Sequence, residues 1–157
     1  MQAFRRGFER ALEWVVIVLM IALAVEVTAG VVFRYSGHSL VWYDEVATIL
    51  LAWVTYYGAA LAALKRAHIG VPELVRLMPP RLRVLATLFA KFWVFVFFII
   101  LAWVGYSILE ILAGDTLVSL PSVSVAWAQS VIPVSAVLFV IAEALALPEA
   151  LREARAP

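Results

Sequence analysis

Four apolar runs separated by short polar stretches account for most of the chain. The first, residues 11–33, is interrupted only by Glu13 and Glu26, and the second, residues 46–64, carries no charge. The third, residues 92–109, is uncharged and rich in Phe, Val and Ile, and the fourth, residues 122–142, is broken only by serines, Gln129 and Pro133. A bilayer crossing needs about 20 mostly apolar residues, so each run is long enough to span. The pattern predicts an all-α integral membrane protein forming a single membrane domain, residues 1–157, with spans at about 11–34, 44–64, 84–111 and 122–146. Between the second and third spans, Pro72 and Glu73 stand where a first helical turn favours them. Leu74, Val75, Leu77 and Met78 follow with Arg76 among them, and Pro79-Pro80 ends the run, which predicts a short amphipathic helix over 72–78 in the membrane plane.

The first run has a second reading as a signal peptide, because Arg5, Arg6 and Arg10 precede it and Ala22-Leu23-Ala24 resembles a small-residue cleavage site. The apolar run continues past that site to Phe33, so a retained helix is expected. Lys and Arg set the orientation. Arg5, Arg6 and Arg10 lie before the first run, Lys65, Arg66, Arg76, Arg81 and Arg83 between the second and third, and Arg152 and Arg155 near the end. The first short loop holds only Arg34, and residues 113–121 hold none. Both termini and the middle loop are therefore expected in the cytoplasm. Phe4, Phe8 and Leu12 alternate with arginines at helical spacing, which fits either an amphipathic entry helix on an anionic surface or a charged stop flanking the first span. Arg5, Arg6, Lys65, Arg66 and Arg76 are the candidate contacts to phospholipids at that inner surface.

Composition agrees. Of 157 residues, 66% are hydrophobic and 15% charged, with mean hydropathy +1.02, against roughly half and a quarter in soluble domains. The net charge of +1 and the lack of a basic-aromatic groove argue against nucleic acid. The absence of cysteine removes disulfides, thiolate metal sites and iron–sulfur clusters. His38 and His68 fall in loops on opposite sides of the membrane, which excludes a haem pair within the bundle. No metal or cofactor is expected. No nucleophile–base set, phosphate loop or zinc-protease motif is present, so the chain does not read as an enzyme.

Three places carry polar groups against the apolar background. Arg34 ends the first span, and Asp44 and Glu45 open the second across a short loop. A charge near hydrocarbon needs a partner, and two arrangements stay open: Arg34 paired with Glu45 or Asp44 to pin the hairpin, or part of the cluster facing a partner protein. Glu26, deep in the first span, reads either as a proton or ion path or as a protonated group bonded to a neighbouring helix, Gln129 being one partner. Lys91 and Glu143 lie near the inner ends of their spans, where they can snorkel to the interface. In the second span, Gly58, Ala59, Ala62 and Ala63 put small residues four apart, which lets helix backbones approach in lipid.

The run "FRYSGHSLVWYDEVATILLAWVTYYGAALAALKRAHIGVPELVRLMP", residues 33–79, resembles the small membrane (Q-type) subunit of tripartite ATP-independent periplasmic (TRAP) transporters. The matching pieces stand in order: Arg34-Tyr35, Trp42-Tyr43-Asp44-Glu45, Trp53, Gly58-Ala59-Ala60, Lys65-Arg66, His68-Ile69-Gly70-Val71 and Leu77-Met78-Pro79. Leu120-Pro121, Trp127 and Ile132-Pro133 extend the likeness, although Ser124-Val125 and Ser135 depart from the family pattern. The resemblance implies a non-enzymatic subunit of a sodium-coupled, binding-protein-dependent carboxylate uptake system in the bacterial inner membrane. Its implied partners are a large multi-helix transport subunit, which it braces, and a periplasmic solute-binding protein, which it helps to dock. Arg34, Tyr35, His38, Trp42, Asp44 and Glu45 become candidates for partner binding or a structural ion pair; Trp53, Gly58, Ala59 and Ala62 become candidates for packing on the large subunit. Two other readings stand beside it: a small proton-coupled exporter working through Glu26, and a purely structural membrane assembly protein.

Overall fold

A computed structural model describes residues 2–67 and 78–155. Within them the chain folds as α1 (Gln2–Tyr35), α2 (Tyr43–Leu64), α3 (Pro80–Ile111), a 3-10 turn (Leu112–Gly114), α4 (Val125–Gln129) and α5 (Val131–Arg155). Four of these helices, α1, α2, α3 and the α4–α5 segment, are long and apolar enough to cross a membrane. In hydrocarbon the backbone must satisfy its own hydrogen bonds, and a helix does so within one segment. The expected in-plane helix over 72–78 lies outside the described residues except for Met78.

The helices stop where their ends are closed. At the end of α1, Gly37 takes a left-handed φ of 77°. Its N–H donates to the Arg34 carbonyl (3.2 Å) and the His38 N–H donates to the Phe33 carbonyl (3.0 Å), a double closure that favours glycine. The end of α2 repeats this closure with Arg66 in the glycine position, at φ 55°. Arg66 N–H donates to Ala63 (3.1 Å) and Ala67 N–H to Ala62 (2.9 Å).

The fourth span differs from the single helix expected over 122–146. It begins as the five-residue α4, capped by the Ser124 hydroxyl accepting from Ala126 N–H at 3.2 Å, and restarts at Val131. Nor does it end at 146: α5 runs through Pro148 to Arg155. Proline inside a helix removes one hydrogen bond. Here the turns beyond it are held by burial of Ala150 and Ala154 and by ion pairs from Glu149 and Glu153.

The long helices lie in a row rather than a closed bundle. α1 packs on α2, α2 on α5, and α5 on α3. The interior is a seam of small residues, Ala60, Ala63 and Ala142, closed by Leu12, Leu64 and Phe139. Phe98 of α3 stacks flat on Phe139 of α5, with ring centroids 3.6 Å apart. Two glycines mark the closest approaches. A Cβ on Gly105 would meet Ile132 and Pro133 at 3.1–3.3 Å, and one on Gly30 would lie 2.0 Å from the Tyr43 ring. By contrast, a Cβ on Gly58 would meet nothing within 4 Å.

Gly30→Ala is therefore expected to drive Tyr43 off α1 and destabilise the solubilised chain by about 1–3 kcal/mol, as overpacking does. Gly58→Ala in the same isolated chain is expected to cost nothing. Thermal melts of the two variants followed by tryptophan fluorescence check the contrast.

Candidate functional site

The polar groups gather at the two ends of the row. At the hairpin end, Glu45 sits in the first turn of α2. Its carboxylate accepts from the N–H of Val118 (3.2 Å), the N–H of Ser119 (2.9 Å) and the Ser119 hydroxyl. It thus fastens the α3–α4 loop to α2. The loop is built to be held: Leu117 N–H donates to Val123 (2.9 Å) and Val125 N–H to Asp115 (3.0 Å). Leu120 to Val123 closes a turn (2.9 Å) with Pro121 in its favoured second position. Leu117 is buried, while its neighbour Val118 is 93% exposed.

A second grip lies along α2. The Trp53 indole N–H donates to the Ala128 carbonyl at 2.9 Å, and its ring lies against Trp127, with centroids 4.9 Å apart. A five-residue helix leaves nearly all its carbonyls without helical donors, and Trp53 supplies one. Trp53 is thus engaged inside its own chain.

Arg34 forms no ion pair with Asp44 or Glu45, which corrects the expected pinning pair. The lone pairs of Glu45 are directed to loop amides, and Arg34 and Asp44 are both exposed. Arg34 instead ends α1, where a cation complements the helix dipole. Tyr35 is 91% exposed, His38 approaches the Ser36 carbonyl through Nδ1 (3.0 Å), and Trp42 stands at the N-cap of α2. Glu26 has both carboxylate oxygens shielded and without a hydrogen-bond partner among the described residues, so the bond to Gln129 is not formed.

At the end that carries both termini, charges tie neighbouring helices together. Lys65 pairs with Glu13 and, at 3.7 Å, with Glu9 of α1. Arg66 holds both oxygens of Glu153, one at 2.6 Å, and Arg5 pairs with Glu149. Lys91 of α3 meets Glu143 of α5 at 2.5 Å. The Glu13 carboxylate bonded to Lys65 holds that ammonium above its ordinary range, and Glu153 does the same for the Arg66 guanidinium. Arg5, Lys65 and Arg66, expected as lipid contacts, are thus engaged by carboxylates; Arg6 is exposed, and Arg76 lies outside the described residues.

The Lys91–Glu143 pair differs from the others because the Glu143 side chain is only 6% exposed. The sequence reading sent both groups to the interface by snorkelling and missed their pairing. It also missed the pairing of Glu9, Glu13, Glu149 and Glu153 in this clamp and the loop amides at Glu45. Opposite charges at matching depth on two spans were the available signal. Backbone donors leave no mark in the sequence.

Among the described residues no group of three or more His, Asp or Glu side chains is placed to hold a metal. The polar groups characterised above serve mainly to fasten the helices of a multi-pass membrane protein to one another. The chain matches the family described as tripartite ATP-independent periplasmic transporters, DctQ component, over residues 23–153. It belongs to that family, whose members are inner-membrane transporter components and not enzymes. It is 29% identical over 127 residues to the sialic acid TRAP transporter permease protein SiaT of Haemophilus influenzae, covering 80% of this chain and 20% of that protein. It is 32% identical over 79 residues to the C4-dicarboxylate TRAP transporter small permease protein DctQ of Vibrio cholerae, covering 50% of this chain and 34% of that one. The chain therefore spans a fifth to a third of the length of these relatives. Family membership sets aside the exporter reading built on Glu26.

Two outcomes follow from the clamp. Lys91→Ala strands a buried carboxylate and is expected to cost about 3–5 kcal/mol, whereas Lys91→Met with Glu143→Leu is expected to be near neutral; thermal melts of both variants check this. Arg66→Ala loses the ion pair and keeps the left-handed strain, while Arg66→Gly loses only the pair. The glycine variant is expected to be more stable by about 1 kcal/mol, measured in the same way.

Proposed function

We propose that this chain is the small membrane subunit of a sodium-coupled, binding-protein-dependent uptake system for organic acids. It braces the scaffold of a large transport subunit and offers part of the surface on which the periplasmic solute-binding protein docks. Both relatives are named for acidic solutes, sialic acid and C4-dicarboxylates, which supports the substrate class. The basic residues at the end with both termini support a cytoplasmic placement there, so the Glu45 end faces the periplasm.

The observation that carries the reading is the hold of Glu45 on residues 118 and 119. A loop between two membrane helices would otherwise be mobile; here it is fixed, with Val118 projecting. A fixed loop loses little entropy when a partner lands on it. Arg34, Tyr35, His38, Trp42 and Asp44 share that end and form the rest of the proposed docking rim. The open slot at Gly58, beside Ala62 one turn on, is the proposed contact for the large subunit, because close helix approach in lipid favours small residues. Ala59, by contrast, packs partly against this chain's own core.

The first test is to tag the chain, extract it gently from its native membrane and identify what accompanies it. A stoichiometric, much larger multi-helix membrane protein is expected; a lone homodimer would overturn the proposal. With that subunit and the binding protein reconstituted in vesicles, uptake of a radiolabelled acid is expected to require an inward sodium gradient. Glu45→Ala is expected to lower uptake by about tenfold, the equivalent of one lost charge-assisted hydrogen bond, while leaving co-purification intact. Gly58→Leu is expected to do the reverse and release the large subunit.

A further inference from the structure

The clamp at the terminal end divides the basic residues into two sets. Both lysines of the chain, Lys65 and Lys91, stand in ion pairs, as do Arg5 and Arg66. Their partners are Glu9, Glu13, Glu143, Glu149 and Glu153, which are all the described carboxylates at this end. Arg6, Arg10, Arg81, Arg152 and Arg155 are exposed and without an ion-pair partner among the described residues. Among the described residues, the cations left without an ion pair at this end include these five arginines and no lysine.

Glu13, Lys65, Lys91 and Glu143 form two ion pairs near the ends of the apolar runs. Beyond Glu13, Lys91 and Glu143, α1, α3 and α5 each continue for about 11 or 12 residues, roughly 17 Å of helix. These extensions are not purely polar. Phe4, Leu82, Leu85 and Phe89 are all more than half exposed, and the last three recur at helical spacing beside Arg81. Phe4 stacks on Phe8, with ring centroids 6.3 Å apart. Water is a poor solvent for such a surface, and a basic face beside an apolar one suits the headgroup–acyl boundary. Arginine also binds phosphate with two parallel hydrogen bonds, which lysine does not.

We propose that the helical extensions at the terminal end lie within the headgroup layer, and that Arg6, Arg10, Arg81, Arg152 and Arg155 bind the phosphodiesters of anionic phospholipids. The paired cations are staples inside the protein and the unpaired arginines are its lipid contacts. This assignment rests on the ion-pair geometry and the exposed apolar stripe, and does not depend on the transport reading.

The test uses the full chain in detergent, titrated with phosphatidylglycerol or with phosphatidylcholine, and counts retained lipid by native mass spectrometry. The parent is expected to retain phosphatidylglycerol in preference. Replacing Arg6, Arg10, Arg152 and Arg155 together by Gln is expected to reduce that preference by about threefold or more for each arginine replaced. Arg66→Gln removes one cation from a staple and is expected to keep the preference. Equal retention of the two lipids by the parent would overturn the proposal. So would an undiminished preference in the quadruple variant, or a loss in Arg66→Gln matching that in the quadruple variant. If the quadruple variant fails to fold, Arg6→Gln with Arg10→Gln gives the same decision, since both lie on the exposed side of α1.

Discussion

The structure depends on one constraint: inside hydrocarbon a polar group must find its partner in the protein. The chain meets it by placing nearly every charge at the two ends of its helices and using many of those charges as fasteners. Ion pairs at the terminal end join α1 to the end of α2, α1 to α5, the end of α2 to α5, and α3 to α5. At the other end a carboxylate and an indole on α2 hold the connection between α3 and α5. In lipid the hydrophobic effect does not draw helices together. Fasteners at both ends and close approach over glycine and alanine between them do that work instead.

An open row follows from the same logic. A closed bundle would bury a face of every helix, whereas here α5 lies between α2 and α3, α1 stands at one edge and α3 at the other. The edge helices keep large apolar side chains exposed along their length, among them Trp14, Ile21, Phe97 and Trp103. Such a shape leaves broad apolar flanks on the outside of the row, as suits helices surrounded by lipid. The longer relatives carry additional sequence beyond the region that this chain matches.

The positions that break local rules are where tertiary contacts are strongest. Arg66 occupies a backbone conformation suited to glycine, and its guanidinium grips Glu153 across the row. Pro148 lies inside α5, where flanking ion pairs and buried alanines keep the helix continuous. Glu143 places a carboxylate in a nearly closed site, with Lys91 supplying the counter-charge. Each local cost is offset by a contact from another helix, so these residues bind the row together rather than merely fill it.

The sequence by itself determined the class of the molecule. Runs of about 20 apolar residues leave few alternatives to membrane-crossing helices, and the ordered residues from Arg34 to Pro79 were enough to suggest the family. Helix ends were legible where a single residue sets them, as at Gly37. Only the tertiary structure decided who pairs with whom. Arg34 and Glu45 are neighbours along the chain, but Glu45 turns to backbone amides about seventy residues away, and amides look alike in every sequence. Trp53 and the clamp arginines read as surfaces for partners or lipid until the row brought Ala128, Glu149 and Glu153 against them. Hydrophobic periodicity reports how far a residue lies from water; it says nothing of which helix lies beside it, and in a row of four that neighbour sets each polar group's partner.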